Sequence, residues 1–227
     1  YSIVQAYNAI IQGAEFSIAG TTESSIIPIV VEAFTNMKVV TKDKCRPFDI
    51  DRSGFQIGEG AGCLILEEKK RAIKRNARIY GKISGYGQFT DPTHMTGLDP
   101  SGEQIEKAIL KSINEDASID WVNAHGTATR LNDEAESNAI IRTLGNSVNV
   151  NSFKPFIGHL LGASSVVEIV LSILCMTENF IPANINTKHV EYDVNVADET
   201  IKKPLNRILK LSHGFGGHIG SIVIEKL

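Results

Sequence analysis

The chain has 227 residues, 42% of them hydrophobic and 22% charged, and a formal net charge of −3, an ordinary balance for a globular protein with a sizeable core. It excludes a nucleic-acid binder built on a basic stripe, and three widely spaced cysteines, Cys45, Cys63 and Cys175, exclude a disulfide scaffold or a paired-cysteine zinc site. No uninterrupted apolar run reaches the ~18–20 residues of a bilayer span and no signal segment opens the chain, so the expectation is a soluble cytoplasmic protein with neither membrane nor nucleic acid as a partner.

In chain order, Ile3, Val4, Tyr7, Ile10 and Ile11 recur at the spacing of an amphipathic helix, stopped at Gly13. This helix has no N-terminal cap and no initiator Met, so it reads as entered partway along, and the chain as part of a longer one. Residues 14–24 read as a buried strand and its loop, and 29–37 as a helix or an irregular cover. The charged, turn-rich stretch 41–54 predicts a surface loop. Gly58, Gly60 and Gly62 precede a run of strand formers, residues 69–76 predict a basic helix, and 78–87 alternate as a strand does.

A polar loop, DPTHMTGLDPSGEQ, follows, in which Ser101 and Gln104 have the spacing of a capping box for a helix over 103–115. The strand SIDWVNA runs into HGTATRLNDEAE and a helix through Leu144, and the strand VNVNSF runs into KPFIGHLLGASS. The helix over 160–178 is apolar nearly all round apart from Glu168, which predicts a central, buried position. The chain closes with a glycine-rich turn, GFGG, feeding a last strand. Strands alternating with helices predict a layered α/β fold.

Two strand ends carry a histidine beside a small-residue loop: His125 before Gly126 and Thr127, and His159 between Gly158 and Leu160. Sites in open α/β sheets form at the carboxyl ends of strands, near helix N-termini. A helix N-terminus suits a developing anion and disfavours imidazolium, leaving a neutral ring to donate one hydrogen bond. Two such donors on one oxygen form an oxyanion hole; alone, each ring is equally a satisfied histidine bonded to backbone. Lys154, five residues before His159, needs a carboxylate if it is buried, and Glu168 needs a cation, so the two are expected to meet.

The Gly214–Gly217 turn offers Phe215 as a mobile ring among residues without side chains. Cys63, in an apolar run, and Cys175, in the apolar helix, read as inert packing, while Cys45 sits in a charged loop with no adjacent histidine. Asp91 and His94 lack a third ligand, so no metal site is expected.

Taken together, RPFDIDRSGFQIGEGAG, DPTHMT, VNAHGTATRLNDEAE, KPFIGHLLGA and GFGG resemble, in order and spacing, the β-ketoacyl-acyl-carrier-protein synthases, nearest the elongating type II ketosynthases. The resemblance covers essentially the whole chain. It implies a thiolase-like αβαβα layered fold, with residues 1–84 ending the N-terminal half and 85–227 forming the C-terminal half. It also implies that the nucleophilic cysteine lies a few residues before Tyr1, in a missing N-terminal half with which this chain pairs.

The activity implied is decarboxylative condensation of malonyl-carrier protein with an enzyme-bound acyl group, in fatty-acid or polyketide synthesis. His125 and His159 match the histidines that bind the thioester carbonyl, Lys154 the lysine behind them, and Glu168 its acidic partner. Thr127 and Thr129 match the threonines that hold the phosphopantetheine arm, Phe215 matches the gating phenylalanine, and Lys38 falls where a basic residue docks the acyl carrier protein. No metal or organic cofactor is implied, since phosphopantetheine arrives on the carrier protein; the assembly implied is a homodimer or a ketosynthase-like heterodimer. The chain departs from the family pattern at Ile157, at Gly162–Ser165 (GASS) and at His213. The rival reading is a non-catalytic, chain-length-factor-like partner subunit; a thiolase is more distant, for want of its cysteine-bearing C-terminal motif.

Overall fold

A computed structural model describes residues 1–113 and 118–227. Helix α1 (Ser2–Ile11) leads into strand β1 (Phe16–Glu23) and helix α2 (Pro28–Asn36). Strand β2 (Gly60–Glu67), the short helix α3 (Lys69–Lys74) and strand β3 (Lys82–Thr90) follow. Next come α4 (Glu103–Ser112), β4 (Trp121–Asn123), α5 (Arg130–Leu144), β5 (Asn149–Asn151) and the single turn α6 (Lys154–Ile157). A 3-10 turn (Leu161–Ala163) leads into α7 (Ser164–Glu178). The short strands β6 (Phe180–Ile181), β7 (Asn195–Val196) and β8 (Ile201–Lys202) precede the closing hairpin of β9 (Arg207–Gly214) and β10 (His218–Glu225).

Six strands form one mixed sheet in the order β3-β10-β9-β4-β5-β7, antiparallel across β3, β10 and β9 and parallel from β9 through β7. Both its faces are covered. On one side Ile105, Ala108 and Ile109 of α4 and Ala135, Ala139 and Ile140 of α5 pack on Val122, Val150, Leu209 and Leu211. On the other, Ile3 and Val4 of α1 and Val166, Ile169 and Met176 of α7 pack on Trp121, Ile208 and Ile222. Beyond α1 and α7 lies the antiparallel β1–β2 pair, so the layers run α-β-α-β, in keeping with the layered α/β class expected.

Several local expectations are corrected. Strand β1 is not buried: Phe16 and Ile18, with Ile65 across from Ile18 in β2, are 56%, 62% and 71% exposed, because the outer face of this sheet has no cover among the described residues. Cys63 lies on this pair and is exposed rather than packed, whereas Cys45 is buried, its thiol pushed up to about 12 chiefly by burial. The stretch 41–54 is a loop only partly at the surface: Lys42, Asp43 and Lys44 are exposed, but Cys45, Phe48, Asp49 and Arg52 are buried. Arg52 explains how: it bonds Glu191 and Tyr192 and lies 3.6 Å from Asp133. The strand expected at 78–87 begins four residues later, at Lys82.

No capping box forms at α4. Gly102 is the N-cap in a left-handed conformation (φ 68°), and Ser101 Oγ accepts only from the Glu103 N–H. The expected end of this helix at Glu115 lies outside the described residues. Residues 161–178 are long and apolar enough, by length and composition, to cross a membrane; their packing in the core, with Glu168 buried among them, is that of a central helix.

Candidate active site

Parallel pairing gathers the site. Strands β9, β4 and β5 run side by side in one direction, so their carboxyl ends meet. His125 stands two residues past β4, Lys154 three past β5, and His213 at the end of β9. His159 is not at the strand end expected, since α6 intervenes between it and β5; it is fixed instead by a separate strand-like contact, its N–H donating to the Gln56 carbonyl and its carbonyl accepting from the Gly58 N–H. This close approach needs two glycines. Gly158 has φ +76°, and a Cβ on Gly58 would stand 2.3 Å from the Ile157 carbonyl oxygen.

The two imidazoles meet almost at right angles, centroids 5.3 Å apart and planes at 82°, and both line one cavity of about 760 Å³. Their partners fix the tautomers. The Leu161 N–H donates to His159 Nδ1 at 3.2 Å, and Ser164 Oγ lies 2.9 Å from the same atom. On His125, the Lys154 ammonium stands 3.4 Å from Nδ1. Each Nδ1 is therefore an acceptor and each proton sits on Nε2, leaving two N–H donors for the cavity. Burial, reinforced by the positive charge of Lys154, holds both rings well below the ordinary histidine value. Both are neutral donors at neutral pH.

Behind them lies a buried charge network. Lys154 and Glu168 meet as expected, Nζ to Oε1 at 2.9 Å, and the same ammonium donates to the His125 carbonyl. Glu136 of α5 accepts from the His125 N–H at 2.6 Å and the Gly126 N–H at 2.8 Å. Burial raises its carboxyl to about 7. The Thr127 and Thr129 hydroxyls lie 2.8 Å apart on the cavity wall. Lys38 is exposed at that wall, and Phe215, also exposed, stands with its ring centroid 6.1 Å from that of Phe34. The structure thus gathers His125, His159, Thr127, Thr129, Phe215 and Lys38 on one cavity, with Lys154 and Glu168 directly behind it.

Sequence reasoning missed Glu136, Asn132, His213 in its new setting, and Lys210. His213 is a third imidazole, 5.1 Å from His125 between centroids, with Nδ1 2.9 Å from Asn132 Oδ1. Burial, then Lys210 and Lys154, hold it down to about 3. Lys210 sets its ammonium 2.6 Å from Glu168 Oε2. The signal for Lys210 was a lone lysine inside an apolar strand, ILKLS. None of the three cysteines lines the cavity.

Two family models match in tandem: the β-ketoacyl synthase N-terminal domain over residues 1–72 and the C-terminal domain over residues 80–188. A putative mitochondrial 3-oxoacyl-[acyl-carrier-protein] synthase of Schizosaccharomyces pombe is 36% identical over all of this chain and 58% of its own length. An actinorhodin polyketide putative β-ketoacyl synthase of Streptomyces coelicolor is 36% identical over 99% of this chain and 52% of its own. The chain thus spans little more than half the length of these curated relatives. Among solved structures, a type II polyketide ketosynthase bound to its acyl-carrier protein superposes with a TM-score of 0.95 at 29% identity, over 99% of this chain and 60% of that one.

Proposed function

The chain belongs to the β-ketoacyl synthase family, and from that premise we propose that it supplies the two-imidazole side of a decarboxylative condensing site. The observation that carries this reading is the perpendicular His125–His159 pair, two neutral N–H donors on one cavity. Loss of CO2 from a malonyl thioester leaves an enolate, whose charge collects on the thioester oxygen. Two preorganised donors aimed at that oxygen stabilise it in the transition state more than in the ground state. The enolate carbon then attacks an acyl group held as a thioester on an enzyme sulfur, a carbon–carbon bond forms, and the thiolate leaves. That sulfur comes from the rest of the protein.

Lys154 and Glu168 act behind the rings: the ammonium fixes the His125 backbone and occupies Nδ1, and the carboxylate balances its charge. Thr127 and Thr129 offer hydroxyls to the amides of a phosphopantetheine arm entering past Phe215, and Lys38 offers a positive charge to an acidic carrier protein. No metal or organic cofactor enters this scheme. The assembly proposed is a homodimer or a ketosynthase-like heterodimer. A non-catalytic partner subunit is disfavoured by a complete imidazole pair with its tautomers set. The intact protein, given malonyl-carrier protein labelled at the free carboxyl, is expected to release labelled CO2; no release with an acylated protein would refute the proposal.

A further inference from the structure

Strand β9 is central, so both its faces lie in the core. Leu209 and Leu211 face α4 and α5, while Ile208 faces α1 and α7. Alternation puts Lys210 on the α7 side, where an ammonium is tolerated only if its charge is met. Lys210 is 2% exposed. Its Nζ stands 2.6 Å from Glu168 Oε2 and donates to the Ala124 carbonyl at 3.1 Å. Lys154 holds the other oxygen of the same carboxylate and the next carbonyl along, that of His125. Two lysines thus grip consecutive carbonyls of the segment that presents His125, and one carboxylate ties them together.

A Lys154–Glu168 pair alone is neutral; Lys210 adds a second ammonium to the cluster behind the imidazoles, where Glu136 is the other carboxylate. We infer that Lys210 is a second positioning lysine, which with Lys154 fixes the backbone segment that presents His125 and adds positive charge behind the two rings. The inference rests on the proposed condensation only for why neutral rings are needed. The charged and titratable groups facing Lys210 are Glu168 from α7, Lys154 from α6, Glu136 from α5, His125 beyond β4, His159 after α6, and His213 on its own strand. Burial lowers Lys210 itself to about 8, Lys154 acting with it and Glu168 against it. Its positive charge opposes protonation of both rings, in addition to burial and Lys154.

The test is a pair of titrations on the intact protein, wild type against Lys210→Met and Lys210→Arg. One follows the site imidazoles by NMR with labelled histidine; the other follows the rate of malonyl-thioester decarboxylation from the lowest pH at which the protein stays folded up to neutrality and beyond, so that the acid limb is captured. In Lys210→Met, both imidazole titrations and the acid limb of the rate are expected to move up by about half a pH unit or more, and Lys210→Arg is expected to restore both. If Lys210→Met does not fold, Lys210→Gln keeps a donor for the Ala124 carbonyl and removes the charge. Unmoved imidazole titrations, or a rate lowered equally at every pH, would overturn the inference. A wild type without decarboxylation, whose imidazoles still shift in the variant, would instead sink the proposed function and leave the role of Lys210 standing.

Discussion

Replacing Glu168 by Gln keeps the shape of the side chain and removes the one carboxylate shared by two buried ammoniums, 2.9 and 2.6 Å away. Breaking a buried pair by removing one partner costs about 3–5 kcal/mol, and that figure applies to Lys154, which stays at the His125 carbonyl with no counter-charge. Lys210 has an escape, because burial has already lowered it to about 8: without Glu168 it sheds its proton at pH 7. Losing the protonated form there costs about 1.4 kcal/mol, one pH unit's worth.

The expected loss is therefore about 4–6 kcal/mol at pH 7. At pH 9 the wild-type Lys210 is itself mostly neutral, so the penalty shrinks by about 1.4 kcal/mol. Urea denaturation of the intact protein and of Glu168→Gln, at pH 7 and pH 9, measures both quantities. A penalty below about 1 kcal/mol, or one equal at the two pH values, would refute the reasoning, since either result means that the three charges do not share one buried site.

Gly58→Ala places a Cβ 2.3 Å from the Ile157 carbonyl oxygen; the backbone pair that holds His159 has to open, with an expected loss of about 3 kcal/mol and of decarboxylation activity, whereas unchanged thermal stability would contradict the close approach. Glu136, raised by burial to about 7 from an ordinary 4.5, binds more protons folded than unfolded between those values, so stability is expected to fall as pH rises from 4.5 to 7, by up to about 3 kcal/mol. Denaturation midpoints across that window, compared with Glu136→Gln, check this; a slope that survives in the variant would assign it to another group.

What could be read from the sequence follows a physical divide. His125, His159, Lys154 and Glu168 were legible because each stands out locally: a histidine beside a glycine, a charge among apolar residues. Lys210 shares that last signature, in ILKLS, but a strand's period of two shows only that faces alternate; that both faces of β9 are covered is decided by the order of the sheet. The stretch 41–54 misled for the opposite reason. Its charges belong on a surface by composition, and Arg52 is buried because partners distant in sequence, Asp133, Glu191 and Tyr192, gather around it. Cys63 and β1 were misjudged because apolar content signals burial only where a second layer arrives, and none covers that sheet face among the described residues.

The central claim is that His125 and His159 donate to the same oxygen. A double-mutant cycle on decarboxylation by the intact protein, with His125→Ala, His159→Ala and both together, tests it most directly. The account predicts that each single change lowers the rate by about 10²–10³-fold and that the pair together loses little more than either alone. Losses that multiply, or a single variant at wild-type rate, would mean that the two rings serve different atoms.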